Sequence, residues 1–308
     1  MNDLTQILKK NLECVISGKS DAIELLLTAI FSGGHVLMED VPGVGKTTLA
    51  KALARSIDGI FHRVQFTPDL LPSDIIGSSV YNPKDGSFHF RKGPVFSNIL
   101  LADEINRASP RTQSALLEAM NEGQVTAEGT TYVLARPFLV IATENPVEYY
   151  GTYPLPEAQL DRFALQITLG YPDEKSEAEI ILARKEKDPL FDISHVINCA
   201  QLVEMQELVK KVEIEKTIAD YMLAIVRTTR NDSKISLGAS PRALLTLSRC
   251  AQAKAFIAGR SFVLPDDVKA ITVNVLAHRI IPDNKAKYSG ISKATIIKDV
   301  LERIETPV

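Results

Sequence analysis

The sequence predicts an α/β fold in which a parallel-sheet domain precedes an all-helical domain. In the first half of the 308 residues, short apolar runs alternate with helical patterns, as in parallel sheets built from strand–helix units. A glycine-rich turn joins the first of these runs to a helix. After about residue 170 the continuous apolar runs stop, and helical periodicity continues to the end of the chain.

Three strands and one helix of the first half are predicted from local patterns. The strands are His35–Met38, Asn98–Ala102 and Phe138–Ala142, and the helix is Thr47–Ile57. The second and third strands are followed by polar residues, at 103–104 and 143–145. Because ligands bind beyond the carboxyl ends of parallel strands, we expect the chemistry of all three strands at one sheet edge.

Two segments interrupt this pattern and are predicted to be β-hairpins. Residues 78–90 carry a turn signal at Asn82–Gly86, and residues 124–134 carry another at Glu128–Gly129. Spacing alone favours ordinary surface hairpins, so it assigns them no function.

A domain boundary is expected at residues 170–172. This gives an α/β domain over residues 1–171, which contains both hairpins, and a helical domain over residues 172–308. The helical segments expected in the second part are Lys175–Lys187, Glu215–Thr229, Pro241–Ala258 and one opened by Pro265. Proline suits the first turn of a helix, and the acidic residues after Pro265 favour its positive end.

Composition disfavours several classes of function. The formal net charge is -3, whereas non-specific nucleic-acid binding normally requires a basic excess. The three cysteines are scattered without metal-ligand or disulfide spacing, which indicates a reducing compartment. No signal-peptide pattern or apolar run of membrane-spanning length is present, so a cytoplasmic protein without membrane insertion is expected.

A phosphate-binding loop is the strongest chemical signal. The segment Asp40–Thr48 follows the first strand and opens the helix, so backbone N–H groups and the helix N-terminus would face an anion. Lys46 would reach the β and γ phosphates, and the Thr47 hydroxyl would ligate Mg²⁺. The consensus loop begins with glycine, whereas this loop begins with Asp40. The candidate nucleotide contacts here are Val41, Pro42, Gly43, Val44, Gly45, Lys46, Thr47 and Thr48.

An acidic pair at the end of the second strand completes this site. Asp103 is placed to hold Mg²⁺, and Glu104 can polarise an attacking water. Taken alone, such a pair is more typical of a solvated loop. Its position after a strand, downstream of a phosphate loop, favours the catalytic interpretation.

Three further residues could act on the transferring phosphate. Asn145 follows the third strand and could contact the γ phosphate or orient water, although a turn residue before proline is an equal alternative. Arg162 and Arg242 are candidate cations for charge that develops on the phosphate. A lone arginine is usually a surface residue, so only the order of all these elements singles them out.

The order of these segments resembles the MoxR family of AAA+ ATPases over roughly residues 12–280. The matching segments are the phosphate loop, Asp103–Ala108, Ala142–Pro146, Leu155–Phe163 and Gly238–Arg242. The resemblance implies an AAA+ α/β nucleotide-binding domain and a helical lid assembled as a hexameric ring, with ATP and Mg²⁺ as ligands.

The resemblance also implies a role for each candidate. Lys46 and Thr47 match Walker A, Asp103 and Glu104 match Walker B, and Asn145 matches sensor 1. Arg162 matches the arginine finger supplied to the neighbouring subunit. Arg242 matches sensor 2, which could act in its own subunit or across the interface. The segment Ile16–Lys19, with Gly18, resembles the loop beside the adenine. The two hairpins match insertions that point toward the centre of the ring.

The leading functional hypothesis is an ATP-driven, chaperone-like remodeller of a partner protein. Relatives of this type often have partners with a von Willebrand factor A domain, but the sequence identifies no client. One alternative is a nucleotide-dependent scaffold or switch with little turnover. Another is a DNA-handling motor, which the acidic charge disfavours.

Overall fold

The computed structural model describes residues 2–84, 86–144, 151–175, 177 and 189–307. Its strands are β1 (His35–Glu39), β2 (Phe61–Gln65), β3 (Gly77–Asn82), β4 (Ser87–Lys92), β5 (Ile99–Asp103), β6 (Gln124–Ala127), β7 (Thr130–Val133), β8 (Leu139–Glu144), β9 (Phe163–Ile167), β10 (Ile235–Leu237) and β11 (Ile281–Pro282). Its helices are α1 (Asn2–Glu13), α2 (Ser20–Phe31), α3 (Lys46–Ser56), α4 (Pro72–Ile76), α5 (Pro110–Glu122), α6 (Glu157–Leu160), α7 (Cys199–Val209), α8 (Lys216–Asn231), α9 (Pro241–Ile257), α10 (Pro265–Leu276), α11 (Asn284–Tyr288) and α12 (Lys293–Glu302).

A five-stranded parallel sheet forms the centre of the first half. Its strand order is β2-β5-β8-β1-β9, so the three strands predicted from apolar runs, β1, β5 and β8, are the inner ones. The two strands that the sequence did not predict lie at the edges. Strand β2 carries exposed polar residues, and β9 has an apolar run of only three residues before Gln166.

Both faces of the sheet are buried, which explains the continuous apolar runs of its inner strands. On one face Val36 and Met38 pack with α1, α2 and α3. On the other face Leu37 packs with residues of α5. Val36 and Met38 lie on the face opposite to Leu37 because successive side chains of a strand point to opposite faces. Since both faces are buried, only the strand ends are free for polar side chains.

The predicted fold class is confirmed, but the second half is mainly rather than entirely helical, because β10 and β11 pair in a short antiparallel sheet. Helix α10 begins at Pro265 with Asp266 and Asp267 in its first turn, as expected. The predicted helix at residues 175–187 falls largely outside the described residues. One hydrophobic cluster extends from the sheet and α1–α3 into this half, where it includes Leu202, Leu247 and Val268. None of the described helices is long and apolar enough to cross a membrane.

Two antiparallel hairpins, β3–β4 and β6–β7, lie at the segments where turn signals predicted them. They contact each other: the rings of Phe90 and Tyr132 stack with centroids 4.4 Å apart. The Ser79 hydroxyl also donates a hydrogen bond to Glu128 at 2.5 Å. The hairpins therefore form one unit, while Phe88 in β4 remains 70% exposed.

Candidate functional site

A cavity of about 390 Å³ opens at the carboxyl ends of β1 and β5, where parallel sheets bind ligands. It brings together Lys46 and Thr47 from the phosphate loop with Asp103 and Glu104 from the end of β5. Pro42, Gly43, Gly45 and Thr48 also line it, together with Arg63 and Gln65 of β2. The side chain of Val44 is buried in the hydrophobic core and that of Val41 packs partly against it, and neither residue lines this cavity.

The phosphate loop depends on two glycines with left-handed backbone conformations. Gly43 has φ 87° and Gly45 has φ 97°, values that side chains rarely tolerate. Gly45 is also the N-cap of α3, so the unsatisfied N–H groups of its first turn face the cavity. Lys46 donates from Nζ to the carbonyl oxygen of Asp40 at 2.9 Å, which holds its ammonium beside the loop. This geometry suits a bound polyphosphate.

The carboxylate of Asp103 is anchored through both of its oxygens. The Thr143 hydroxyl donates to Oδ1 at 2.6 Å, and Arg63 donates to Oδ2 from Nε at 3.1 Å and from Nη2 at 2.7 Å. Only 12% of the Asp103 side chain is exposed. The charge is thus fixed at the cavity wall.

Glu104 lies one residue further and has an uncommon backbone conformation. Its φ of 56° and ψ of 52° are left-handed, which is costly for a non-glycine residue and concentrates at functional sites. Its Oε2 accepts hydrogen bonds from Gln65 Nε2 at 2.9 Å and from Arg107 Nη1 at 3.0 Å. The carboxylate is therefore directed into the cavity but engaged by two donors.

The loop between α1 and α2 lies against the phosphate loop. A methyl carbon of Ile16 is 3.5 Å from the position that a Cβ on Gly45 would occupy. Gly18 has φ 73°, and Lys19 donates from Nζ to the carbonyl oxygen of Tyr171 at 2.6 Å. The segment matched to an adenine-side loop is thus adjacent to the phosphate cavity.

Arg162 and Arg242 meet in a second cavity, of about 210 Å³, which shares no lining residue with the phosphate cavity. It includes His35, at the start of β1, whereas the phosphate cavity lies beyond the end of β1. Arg162 donates from Nη1 to the carbonyl oxygen of Leu117 at 2.6 Å, and Arg249 also lines this cavity. The two predicted arginines are therefore together, but not beside Lys46 of the same chain.

Asp161 ties the two arginine-bearing segments to each other. Its carboxylate accepts from Ser240 Oγ at 3.0 Å and from the buried Arg279 Nε at 2.8 Å. Burial lowers the pKa of Arg279 from its ordinary value, and the attraction of Asp161 opposes that shift. Since Arg279 already pairs with Asp161, the positive charges of Arg162 and Arg242 are not neutralised by this carboxylate.

A third cavity, of about 490 Å³, lies between the sheet and helices α10 and α12, and none of the predicted residues is among the described residues that line it. Glu39 and Glu144 face each other there at the ends of β1 and β8. Burial, reinforced by the charge of Glu39, raises the pKa of Glu144 to about 7.

Known protein families match both halves of the chain. The profile of the ATPase family associated with various cellular activities (AAA) matches residues 35–165, and that of the AAA lid domain matches residues 227–300. A crystal structure of an ATPase candidate from Cytophaga hutchinsonii superposes with a TM-score of 0.93 at 42% identity, covering 100% of this chain and 96% of that chain.

Curated relatives are similar over nearly the whole length. The uncharacterized protein YeaC of Bacillus subtilis is 46% identical, over 99% of this chain and 97% of YeaC. Chaperone MoxR1 of Mycobacterium tuberculosis is 41% identical, over 95% of this chain and 80% of MoxR1. The chain belongs to the MoxR family of AAA+ ATPases. Protein MoxR of Methylorubrum extorquens is 30% identical, over 94% of this chain and 90% of that protein.

The candidate sensor 1 of this MoxR-family chain, Asn145, lies outside the described residues. Strand β8 ends at Glu144, the residue before it, beside β5 and β1.

Asp40, the departure from the consensus phosphate loop, has a structural explanation. It is buried, and its φ is not positive, so this position does not require glycine. Its carboxylate accepts from the backbone N–H groups of Leu169 at 2.5 Å and Gly170 at 3.0 Å. Asp40 therefore fastens the phosphate loop to the segment that leads into the helical half.

Replacing Asp40 by glycine, which restores the consensus, is expected to lower the free energy of unfolding by about 2–3 kcal/mol. The reason is the loss of two charge-assisted hydrogen bonds, which leaves buried N–H groups without a partner. Urea denaturation followed by circular dichroism measures the change. Asp40→Asn keeps the shape of the side chain but not its charge. Its free energy of unfolding should lie between those of Asp40→Gly and the wild type. Equal stability of all three proteins would contradict the fastening role.

Among the polar residues that line the two cavities, sequence reasoning did not single out Arg63, Gln65 and Arg249. The first two lie on β2, whose parallel register sets Gln65 opposite Asp103, but β2 itself was not predicted. Arg249 lies seven residues after Arg242 in α9. Two helical turns place both on one face, and that spacing was the available signal.

Proposed function

We propose that this chain is a subunit of a hexameric ring that binds and hydrolyses Mg-ATP and remodels a partner protein. The observation that carries the proposal is the separation of the two cavities. One chain supplies groups suited to binding phosphate, and its two arginines line a different cavity, which supports their acting on the nucleotide of another subunit.

In the subunit's own site, Lys46 and the N–H groups of the phosphate loop bind the β and γ phosphates. Mg²⁺ fits the donors available, because Thr47 and Asp103 present a hydroxyl and a carboxylate on one cavity wall and Mg²⁺ prefers such oxygen ligands. When bound, the ion would neutralise charge on the phosphates. Glu104 accepts the proton of the attacking water, and Asn145 orients that water.

Across the interface, Arg162 acts as an arginine finger and Arg242 as sensor 2 of the same neighbouring site. The shared cavity supports assigning both to one ligand, and the bond from Ser240 to Asp161 supports their moving together. A guanidinium that reaches the γ phosphate stabilises charge that develops in the transition state. Turnover then depends on contact between subunits.

The paired hairpins are the proposed client contact. Phe88 and Tyr81 expose 70% and 53% of their surfaces on β4 and β3, and exposed aromatic groups are typical of protein recognition. The name of Chaperone MoxR1 supports a remodelling role. A protein with a von Willebrand factor A domain is the proposed partner class.

Mg-dependent ATP hydrolysis per subunit is expected to rise with protein concentration and then level off. The physical reason is that a site becomes complete only when a neighbour supplies its arginines. Phosphate release measured over a wide concentration range tests this, with sedimentation velocity of the same samples in Mg-ATP.

The specific activity should level off at the protein concentrations at which sedimentation shows the assembled ring. Constant specific activity down to concentrations at which sedimentation shows single subunits would contradict the ring. Nucleotide binding without hydrolysis at any concentration would instead favour a partner-dependent switch.

A further inference from the structure

Arg63 occupies the side of Asp103 that faces the phosphate cavity. Its guanidinium donates two hydrogen bonds to Oδ2 of Asp103, and both residues line the cavity. The other oxygen of Asp103 is held by Thr143 within the sheet. Oδ2 is therefore the Asp103 oxygen left to receive a cation from the cavity, and it is already paired with the Arg63 guanidinium.

The parallel register of β2 and β5 places Arg63 there. Arg63 is opposite Leu101 and Gln65 is opposite Asp103, so the arginine lies two residues before the carboxylate along the sheet. A long side chain that leans along the strand covers that distance. The edge position of β2 leaves no further strand beyond it in the sheet.

The two partners of this ion pair differ in exposure. The Asp103 side chain is 12% exposed and fixed by Thr143, whereas the Arg63 side chain is 47% exposed. Moving the guanidinium into water is inexpensive, because ion pairs near the surface are weak. Leaving the carboxylate without a cation is costly, because it is mostly buried and next to Glu104. The Asp103 carboxylate is thus suited to exchange the Arg63 guanidinium for another cation.

We infer that Arg63 is an exchangeable counter-cation of Asp103, which leaves the carboxylate when the Mg²⁺ of a bound nucleotide takes its place. The inference rests on the proposed nucleotide site. It makes Arg63 a competitor of the metal, so the empty site stays neutralised and metal binding is coupled to release of a cationic side chain into the cavity. A fixed positioning role predicts the opposite change in metal affinity. Loss of Arg63 would then disorder Asp103 and weaken metal binding.

The test is Mn²⁺ binding to the full chain with saturating ADP, measured by electron paramagnetic resonance of free Mn²⁺. Arg63→Gln keeps a hydrogen-bond donor and removes the charge, so Mn²⁺ is expected to bind about tenfold more tightly than to the wild type. Arg227→Gln, an equal charge change at an exposed position in α8, should leave the affinity unchanged. Unchanged or weaker Mn²⁺ binding by Arg63→Gln would overturn the inference.

Two further outcomes separate this inference from the proposed function. If the wild-type chain fails to bind ADP, both ideas are overturned. If it binds ADP but the wild type and Arg63→Gln bind Mn²⁺ with equal affinity, only the role of Arg63 is overturned. Should Arg63→Gln not fold, Arg63→Lys provides the same test, since an ammonium pairs with Asp103 through a single point charge and competes less. About two- to threefold tighter Mn²⁺ binding is then expected, and no tightening would overturn the inference.

Discussion

Glu104→Gln is expected to reduce ATP turnover at least about a hundredfold while ATP remains bound. Glutamine has nearly the same size and cannot accept the proton of the attacking water. It also retains an oxygen that can accept the hydrogen bond from Gln65, so the left-handed backbone at this position need not change. The loss should therefore be chemical rather than structural.

Two measurements on one preparation check this expectation. Phosphate release gives turnover, and equilibrium binding of a fluorescent ATP analogue gives affinity. Glu302→Gln, the same change at an exposed position at the end of α12, serves as the control and should behave as the wild type. Undiminished hydrolysis by Glu104→Gln would remove Glu104 from the catalytic role, and loss of ATP binding would assign it to binding instead.

The inner strands of the sheet were predictable because burial on both faces leaves a direct trace in the sequence. Strands β1, β5 and β8 carry continuous apolar runs, and the polar residues at the ends of β5 and β8 meet, since Thr143 contacts both Asp103 and Glu104. Edge strand β2 has the burial pattern of a half-exposed element with only Val64 buried, so no apolar run announces it. Local pattern therefore recovers the interior of a parallel sheet better than its edges.

The residues around the phosphate cavity also differ in how far a local pattern predicts them. Lys46, Thr47, Asp103 and Glu104 follow from short segments whose chemistry is local, and they line one cavity. Three of the partners that hold the acidic pair, Arg63, Gln65 and Thr143, come from other strands and depend on register, which a single sequence does not specify. This is why Arg63 was found only in the structure.

Asp40 shows how a mismatch to a consensus can be resolved by structure. No local sequence pattern explains an acid where glycine is usual. The reason is a long-range contact with backbone N–H groups about 130 residues later, at Leu169 and Gly170. Such contacts carry no periodicity and follow only from the assembled fold.

Arg162→Ala is expected to lower turnover about a thousandfold, the scale on which arginine fingers act. Arg162 also donates to the carbonyl oxygen of Leu117, so the loss by itself would not distinguish a catalytic from a structural role. A mixing experiment makes that distinction. Lys46→Ala removes the phosphate contact of a subunit while its Arg162 remains intact, so each variant lacks what the other has.

Equal mixing of the two inactive variants should restore activity if Arg162 serves a neighbour. In a randomly mixed ring, about a quarter of the interfaces pair an intact phosphate site with an intact arginine, which sets the scale of the recovery. Recovery requires the Arg162→Ala subunit to fold and bind ATP, so it also excludes a purely structural defect. A double variant that lacks both residues, mixed with wild type in the same ratio, controls for dilution. No recovery between variants that do assemble would place Arg162 outside the neighbour's site, and the two cavities would then need a different functional link.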